Sequence, residues 1–268
     1  LEGTLVGVPS QKRFLAELHP DKFPLTPIRI EQWSGFLFVS FADDILPLAH
    51  HLGSITQNLG HHYRPETQLL FRHQRTVACN WKNYHDNTLC DYHVAIAHRH
   101  TLHQIQGPIR YYRHQLEDHV NLLYTPVTPK WAAEKVILDA LPPFAQENFL
   151  TYGIFPNLHV LGLPDGTIAW IYIEPLTVNS CEVRLEVYGI PSLSASVEQL
   201  QEEFDAFMSE DIALTEGVQQ GYASGHYTPG PVNELECRIL HQQQLIMNYL
   251  QQNSDNAPRS AAASTSKQ

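Results

Sequence analysis

No run of eighteen apolar residues occurs in this 268-residue chain and no signal-peptide pattern opens it, so no membrane span is expected. Basic residues are scarce. Against 28 Asp and Glu there are only 17 Lys and Arg, a formal charge of -11, which excludes the basic surface that a nucleic-acid partner requires. The four cysteines, Cys79, Cys90, Cys181 and Cys237, have no framework spacing, so a disulfide scaffold is excluded. A reducing compartment is expected, the cytoplasm or a plastid stroma. There is no internal repeat and no HExxH pair of the kind that marks many zinc hydrolases.

What is present is enough apolar material, 43% of residues, to bury one large core, and sixteen histidines. Pairs such as His50-His51 and His61-His62 read as surface. The segment Asn80 to His98, NWKNYHDNTLCDYHVAIAH, reads differently. Neutral imidazole is the commonest nitrogen ligand for divalent transition metals, and two imidazoles with one carboxylate leave positions open for dioxygen and substrate. His93 and His98 supply the imidazoles. On a straight helix a spacing of five would set them about 140° apart, so the helix that opens near Asn80 is expected to bend, bulge or end between them. Val94, Ala95, Ile96 and Ala97 make the intervening stretch apolar, and it is expected to be buried.

Asn80-Trp81-Lys82, Asn87, Tyr92-His93 and His98 resemble the NWK...ENxxDxYHxxxxH signature of Rieske non-heme iron oxygenase catalytic domains, the alpha subunits of aromatic-ring-hydroxylating dioxygenases. The resemblance implies that His93 and His98 bind a mononuclear ferrous ion, with Asn87 near it. Two positions depart from the pattern. Asp86 stands where glutamate is usual, and Cys90 stands where a carboxylate links the iron to a Rieske cluster in the neighbouring subunit. Asp91, one residue later, is the nearest candidate for that electron bridge. Tyr84, His85 and Tyr92 flank the motif and could orient ligands.

The third ligand is sought in a helical segment from about Ser196 to Gly221. Leu200, Phe204, Phe207, Leu214 and Val218 form an apolar stripe there, with Asp211 inside it and Asp205 and Glu216 off it. A lone carboxylate on a core face requires compensation, which a divalent ion held by neutral histidines would give. The same segment resembles the family's EDxxxxExxQxG run, whose aspartate completes the triad. Glu210 is the less favoured neighbour.

Ile109 to Arg113 and His119 to Tyr124 open a β-rich layer, followed by strands at Tyr152 to Leu163, Thr167 to Ile173 and Cys181 to Ile190, with a turn over Pro175 to Ser180. The segment Gly153 to Leu158 is expected to line the substrate cavity. Periodicity supports an α+β class. The resemblance implies an antiparallel sheet wrapped around long helices, the helix-grip (Bet v 1/START-like) architecture. Strands are also expected at Ile28 to Gln32 and Phe36 to Phe41, turning at Ser34-Gly35, with helices from Pro47 to Leu59 and Val232 to Gln251. The last is read as core packing through Leu235, Ile239, Ile246, Tyr249 and Leu250.

A Rieske [2Fe-2S] centre needs two cysteines and two histidines, in this family as one C-x-H and one C-x-x-H. No C-x-H occurs, and the single C-x-x-H uses His93. The cluster is therefore expected on an upstream segment. The expected organisation is residues 1–42 as the tail end of a Rieske domain, 43–252 as the mononuclear-iron domain and 253–268 as a disordered tail. By resemblance the chain would be a homotrimeric terminal oxygenase, taking electrons from a ferredoxin or reductase to insert oxygen into a small organic substrate. An aromatic ring leads, with a quaternary amine or a methylated compound as the alternative. Trp33, Trp81, Trp131 and Trp170 are candidates for an amine cage. A metal-free helix-grip binding module and a zinc hydrolase are the competing classes.

Overall fold

The computed structural model describes residues 2–42, 44–193 and 196–256. Its strands are β1 (Arg29–Trp33), β2 (Phe36–Ser40), β3 (Gln68–Val77), β4 (Arg113–Leu116), β5 (Val120–Pro126), β6 (Asn148–Ile154), β7 (Leu158–Gly162), β8 (Ile168–Thr177) and β9 (Ser180–Gly189). Its helices are α1 (Leu48–Leu52), α2 (Ile55–Asn58), α3 (Trp81–Leu89), α4 (Val94–Ala97), α5 (His103–Gln106), α6 (Pro129–Glu134), α7 (Pro143–Glu147), α8 (Val197–Ala223) and α9 (Cys237–Asn256). Among the described residues no helix is long and apolar enough to cross a membrane.

The chain divides into two compact units, Leu1–His51 and Leu52–Gln268. In the first, β1 and β2 form a hairpin around Ser34-Gly35, as their turn residues suggest. The stretch after β2 belongs to this unit because it bonds back to β1, with Leu48 N–H donating to Glu31 at 3.0 Å.

The second unit is built on a seven-stranded antiparallel sheet of order β3-β9-β8-β7-β6-β5-β4. One face carries Phe149, Leu161, Ala169, Ile171, Ile173, Val183, Leu185 and Val187 against Tyr84 of α3 and Leu200, Phe204, Phe207 and Met208 of α8. Alternation along β8 and β9 puts these residues on one side, so the sheet grips α3 and α8. The opposite face takes α2, where Asn58 donates to the Tyr152 hydroxyl at 2.7 Å. Gly162 makes this approach possible, since a Cβ there would lie 2.4 Å from Leu59 Cδ2.

Several elements differ from their sequence patterns. Pro47 to Leu59 is two short helices, broken at Gly53 with its positive φ of 50°. Tyr152 to Leu163 is a hairpin, not one strand: β6 and β7 reverse at Phe155-Pro156-Asn157, where the Phe155–Pro156 peptide is cis. β3 carries no clear strand pattern because it is an edge strand with a mostly exposed polar set. His62, read as surface, is buried and bonds the Leu163 carbonyl through Nε2 at 3.1 Å. α9 runs on to Asn256, into the first residues of the expected tail; residues 257–268 lie outside those described.

Candidate metal centre

The Asn80 side chain starts α3 by accepting from the Lys82 N–H at 3.0 Å, which satisfies one of the otherwise unpaired donors of the first turn. The helix stops at Leu89, and Cys90 is extended at φ -86°, ψ 106°. After the turn at 90–92, His93 and His98 cap the two ends of the one-turn helix α4. The break therefore falls before His93 rather than between the histidines, and a single short turn aims both rings at one point. Burial of the intervening residues is only partial: Val94 is buried, but Ile96 is 82% exposed.

α8 brings the carboxylate. It is locked beside α3 by Asn83 donating to the Thr215 carbonyl at 2.8 Å, and by Glu216 and Gln219 accepting from the N–H groups of Ala78 and Asn80 at 3.0 and 2.9 Å. Its buried stripe runs through Leu200, Phe204, Phe207, Asp211 and Thr215. Leu214 and Val218 lie off it at 39% and 43% exposure, because Thr215, four residues after Asp211, continues the row.

His93 Nε2 lies 3.1 Å from His98 Nε2 and 3.4 Å from Asp211 Oδ1, and His98 Nε2 lies 2.9 Å from Asp211 Oδ1. Ligands bonded at about 2.1 Å and at right angles about one ion stand about 3.0 Å apart. The three atoms thus match one face of an octahedron. Two imidazole nitrogens facing each other need a proton or a cation between them. That need shows in the electrostatics of the residues themselves. Burial, the largest single influence, pulls the His93 pKa down, but the hydrogen bonds and charges of Asp211 and Cys90 together outweigh it and lift the pKa to about 10. Burial pushes Asp211 up, but the two histidines outweigh it and hold the carboxyl at about 2. Two imidazoles and one carboxylate suit ferrous iron, and the residues fit it.

The surrounding groups fix these ligands. Asn87 donates to Asp211 Oδ1 at 2.6 Å. Glu210, the less favoured ligand, instead accepts from His98 Nδ1 at 2.7 Å and from the Thr101 hydroxyl at 2.7 Å, which leaves Nε2 of His98 free to face the centre. Asp91 is placed differently from the ligands. Its carboxylate is buried and turned inward, where Arg238 Nη1 approaches both oxygens at 3.3 Å and His114 Nε2 approaches one at 3.2 Å. Tyr92 faces solvent, and burial holds His85 neutral, lowering its pKa to about 4.

One cavity adjoins the triad and a second shares walls with it. A small one of about 40 Å³ is walled by Asn87, Asp91, Thr151 and His159 together with the three candidate ligands. A larger one of about 610 Å³ shares Leu102, Leu161 and Phe207 with it and extends past Trp131, Phe149 and Phe204. Its rim carries the exposed Glu134, Glu202 and Glu203 against Lys130 and Lys135, and the half-buried Asp165 lines it as well. The segment Gly153 to Leu158 lines neither, because it forms the β6–β7 reversal. Trp131 lines the larger of these two cavities, and Trp33, Trp81 and Trp170 line neither. Sequence reasoning missed Thr151, His159 and Arg238. For Arg238 the available signal was its position as the one Lys or Arg in α9.

Known proteins resemble this chain over most of its length. The chain is 24% identical over 224 residues to the chloroplastic choline monooxygenase of Atriplex hortensis, an alignment covering 78% of this chain and 48% of that protein. It is 25% identical over 219 residues to the carnitine monooxygenase oxygenase subunit of Escherichia coli strain K12, covering 80% and 56%. The chain thus spans about half the length of the curated relatives it matches. A crystal structure of the quaternary ammonium Rieske monooxygenase CntA shares the fold, with a TM-score of 0.72 and 19% identity over 93% of this chain and 68% of that one. The family described as ring hydroxylating alpha subunit (catalytic domain) matches residues 56–252, and the chain belongs to that family.

Proposed function

We propose that this chain is the oxygen-activating part of a Rieske-type terminal oxygenase, with His93, His98 and Asp211 holding one ferrous ion. The observation that carries the reading is the convergence of Nε2, Nε2 and Oδ1 from segments more than a hundred residues apart, within 3.4 Å of one another. When bound, ferrous iron supplies one-electron chemistry toward dioxygen. The remaining steps belong to the chain. Glu210 and Asn87 hold His98 and Asp211 in ligating orientation, and Leu102, Leu161 and Phe207 form an apolar neck between the centre and the larger cavity.

For substrate we propose a quaternary amine. Aromatic rings at Trp131, Phe149, Phe204 and Phe207 attract a cation through their faces, and the three exposed glutamates Glu134, Glu202 and Glu203 against two lysines draw cations in. Relatives named for choline and carnitine support the same class. An aromatic substrate, the leading expectation from family resemblance, finds apolar walls here but no use for the acidic rim. The whole protein would also contain a [2Fe-2S] Rieske cluster, accept electrons from a ferredoxin or reductase and form a homotrimer. Residues 1–42 would be the end of its cluster domain.

The electron bridge is assigned to Asp91, supported by its place just before the ligand His93 and by its contact with the partly exposed His114. In the intact enzyme Asp91→Asn is expected to retain iron and lose nearly all turnover; undiminished turnover rejects the bridge. Oxygen uptake by the reductase-coupled enzyme with trimethylammonium compounds, releasing an aldehyde or a demethylated amine, tests the whole reading. Hydrolysis without reductant would favour zinc, and absence of any bound metal would favour a ligand-binding module.

A further inference from the structure

We infer that Arg238, on the C-terminal helix far from the metal motif, is a positioning residue for the metal centre, anchoring the turn that carries His93. The inference rests on the metal-site reading above. The guanidinium is 0% exposed. Its Nε donates to Asn121 Oδ1 on β5 at 2.8 Å, and Nη1 donates to Thr151 Oγ1 on β6 at 2.9 Å and approaches both oxygens of Asp91 at 3.3 Å. One side chain of α9 therefore ties two central strands to the turn at 90–92.

The backbone around it is shaped for this contact. A Cβ on Gly153 would stand 2.7 Å from Asn121 Oδ1 and 2.4 Å from Leu89 Cδ2, so glycine there lets the end of α3 and the Asn121 amide meet. The turn lies between α3 and α4 and points Tyr92 into solvent, and the buried Asp91 side chain, beside the half-buried Cys90, ties it to the interior. Two residues on, His93 must direct Nε2 to within hydrogen-bond distance of His98. α9 grips the same segment a second time, with Gln243 donating to both oxygens of Asp86 at 2.9 Å.

Stability alone does not account for the arrangement. A buried ion pair is often matched or exceeded in stability by apolar residues of the same volume, while its fork geometry fixes position. Thr151 and Asp91 also wall the small cavity beside the ligands, so the guanidinium lies directly behind the site.

The test is an anaerobic Fe(II) titration of the metal-free full chain, with ferrous–nitrosyl electron paramagnetic resonance as a second readout and thermal unfolding as a third. Arg238→Met is expected to lower the unfolding temperature, weaken Fe(II) binding by about tenfold or more and broaden the nitrosyl signal. Asp91→Asn keeps the shape and one acceptor for Arg238 but leaves the buried guanidinium without its anion, and is expected to weaken Fe(II) binding less than Arg238→Met does. The double variant removes the unbalanced charge, so it is expected to recover unfolding temperature without recovering affinity. Arg238→Lys folds with its charge retained and is expected to bind Fe(II) weakly, should Arg238→Met not fold. Unchanged affinity in Arg238→Met or Arg238→Lys, or affinity restored together with stability in the double variant, overturns the inference. Failure of the unsubstituted chain to bind Fe(II) overturns the metal-site reading itself.

Discussion

α8 and α9 are both long amphipathic helices laid against the same unit, yet they bury opposite kinds of face. α8 buries Leu200, Phe204, Phe207 and Met208 and admits one carboxylate, Asp211, into that row. α9 buries Arg238 and Gln242, while Leu240, Met247, Tyr249 and Leu250 remain substantially exposed. On α8 the apolar face supplies the energy of docking and the polar exception marks the chemistry. On α9 the fully buried positions are polar and Ile239, Leu245 and Ile246 are only half-buried, with Arg238 held to Asp91, Asn121 and Thr151, Gln242 to the Pro156 carbonyl at 2.6 Å and Gln243 to Asp86. Hydrophobic burial is non-directional, whereas these hydrogen bonds fix position one atom at a time. The two helices thus divide the work: α8 contributes a ligand and α9 holds the segment that contributes the others.

The sharpest way to break this contrast is to empty each face in turn. Arg238→Met leaves Asp91 buried without its cation and is expected to cost about 3 to 5 kcal/mol in denaturant unfolding, most of it regained by adding Asp91→Asn. A loss under about 1 kcal/mol would show that the polar face of α9 is not what docks it. Phe204→Ala on α8 should cost about 3 kcal/mol or more through the cavity it leaves, with no second substitution that repairs it.

A smaller effect is expected where α9 meets α3. Burial pushes the Asp86 pKa up to about 6, against the bond from Gln243. The folded state then binds the proton more tightly than the unfolded chain, so this group's contribution to stability falls as pH rises from about 4 to about 6. Asp86→Asn removes that slope and should raise stability at neutral pH by at most about 3 kcal/mol, read from unfolding curves at several pH values. A steeper loss with rising pH in the variant would contradict the assignment. The smallest change belongs to the outward face of α9: Leu240→Ala should fall within about 0.5 kcal/mol of the parent, unlike an apolar truncation on α8.

These two helices also mark how far the sequence could be read. The Asn80 cap, His93, His98 and the solitary Asp211 were legible because each is an exception to a local pattern, and an exception needs a chemical reason. The β1–β2 hairpin and strands β8 and β9 were legible because Ser34-Gly35 and alternating β-branched residues act locally. The C-terminal helix was read only in part: Leu235, Ile239 and Ile246 are half-buried as their spacing suggests, but Leu250 is exposed and the fully buried positions are Arg238 and Gln242, which apolar periodicity does not report. β3 escaped because its partner β9 supplies what its own residues do not declare. The inward turn of Asp91 depends on Arg238, 147 residues later, and no local pattern contains that contact.

The central claim is that His93, His98 and Asp211 form one iron site, and the most direct measurement is anaerobic Fe(II) binding by the metal-free chain as a function of pH. With His93 lifted to about 10 in the metal-free state, the ion must displace a proton throughout the neutral range. The account predicts one Fe(II) per chain, an affinity that rises roughly tenfold per pH unit between about 6 and 8, and loss of binding in Asp211→Ala. Binding that ignores pH and survives Asp211→Ala would contradict it.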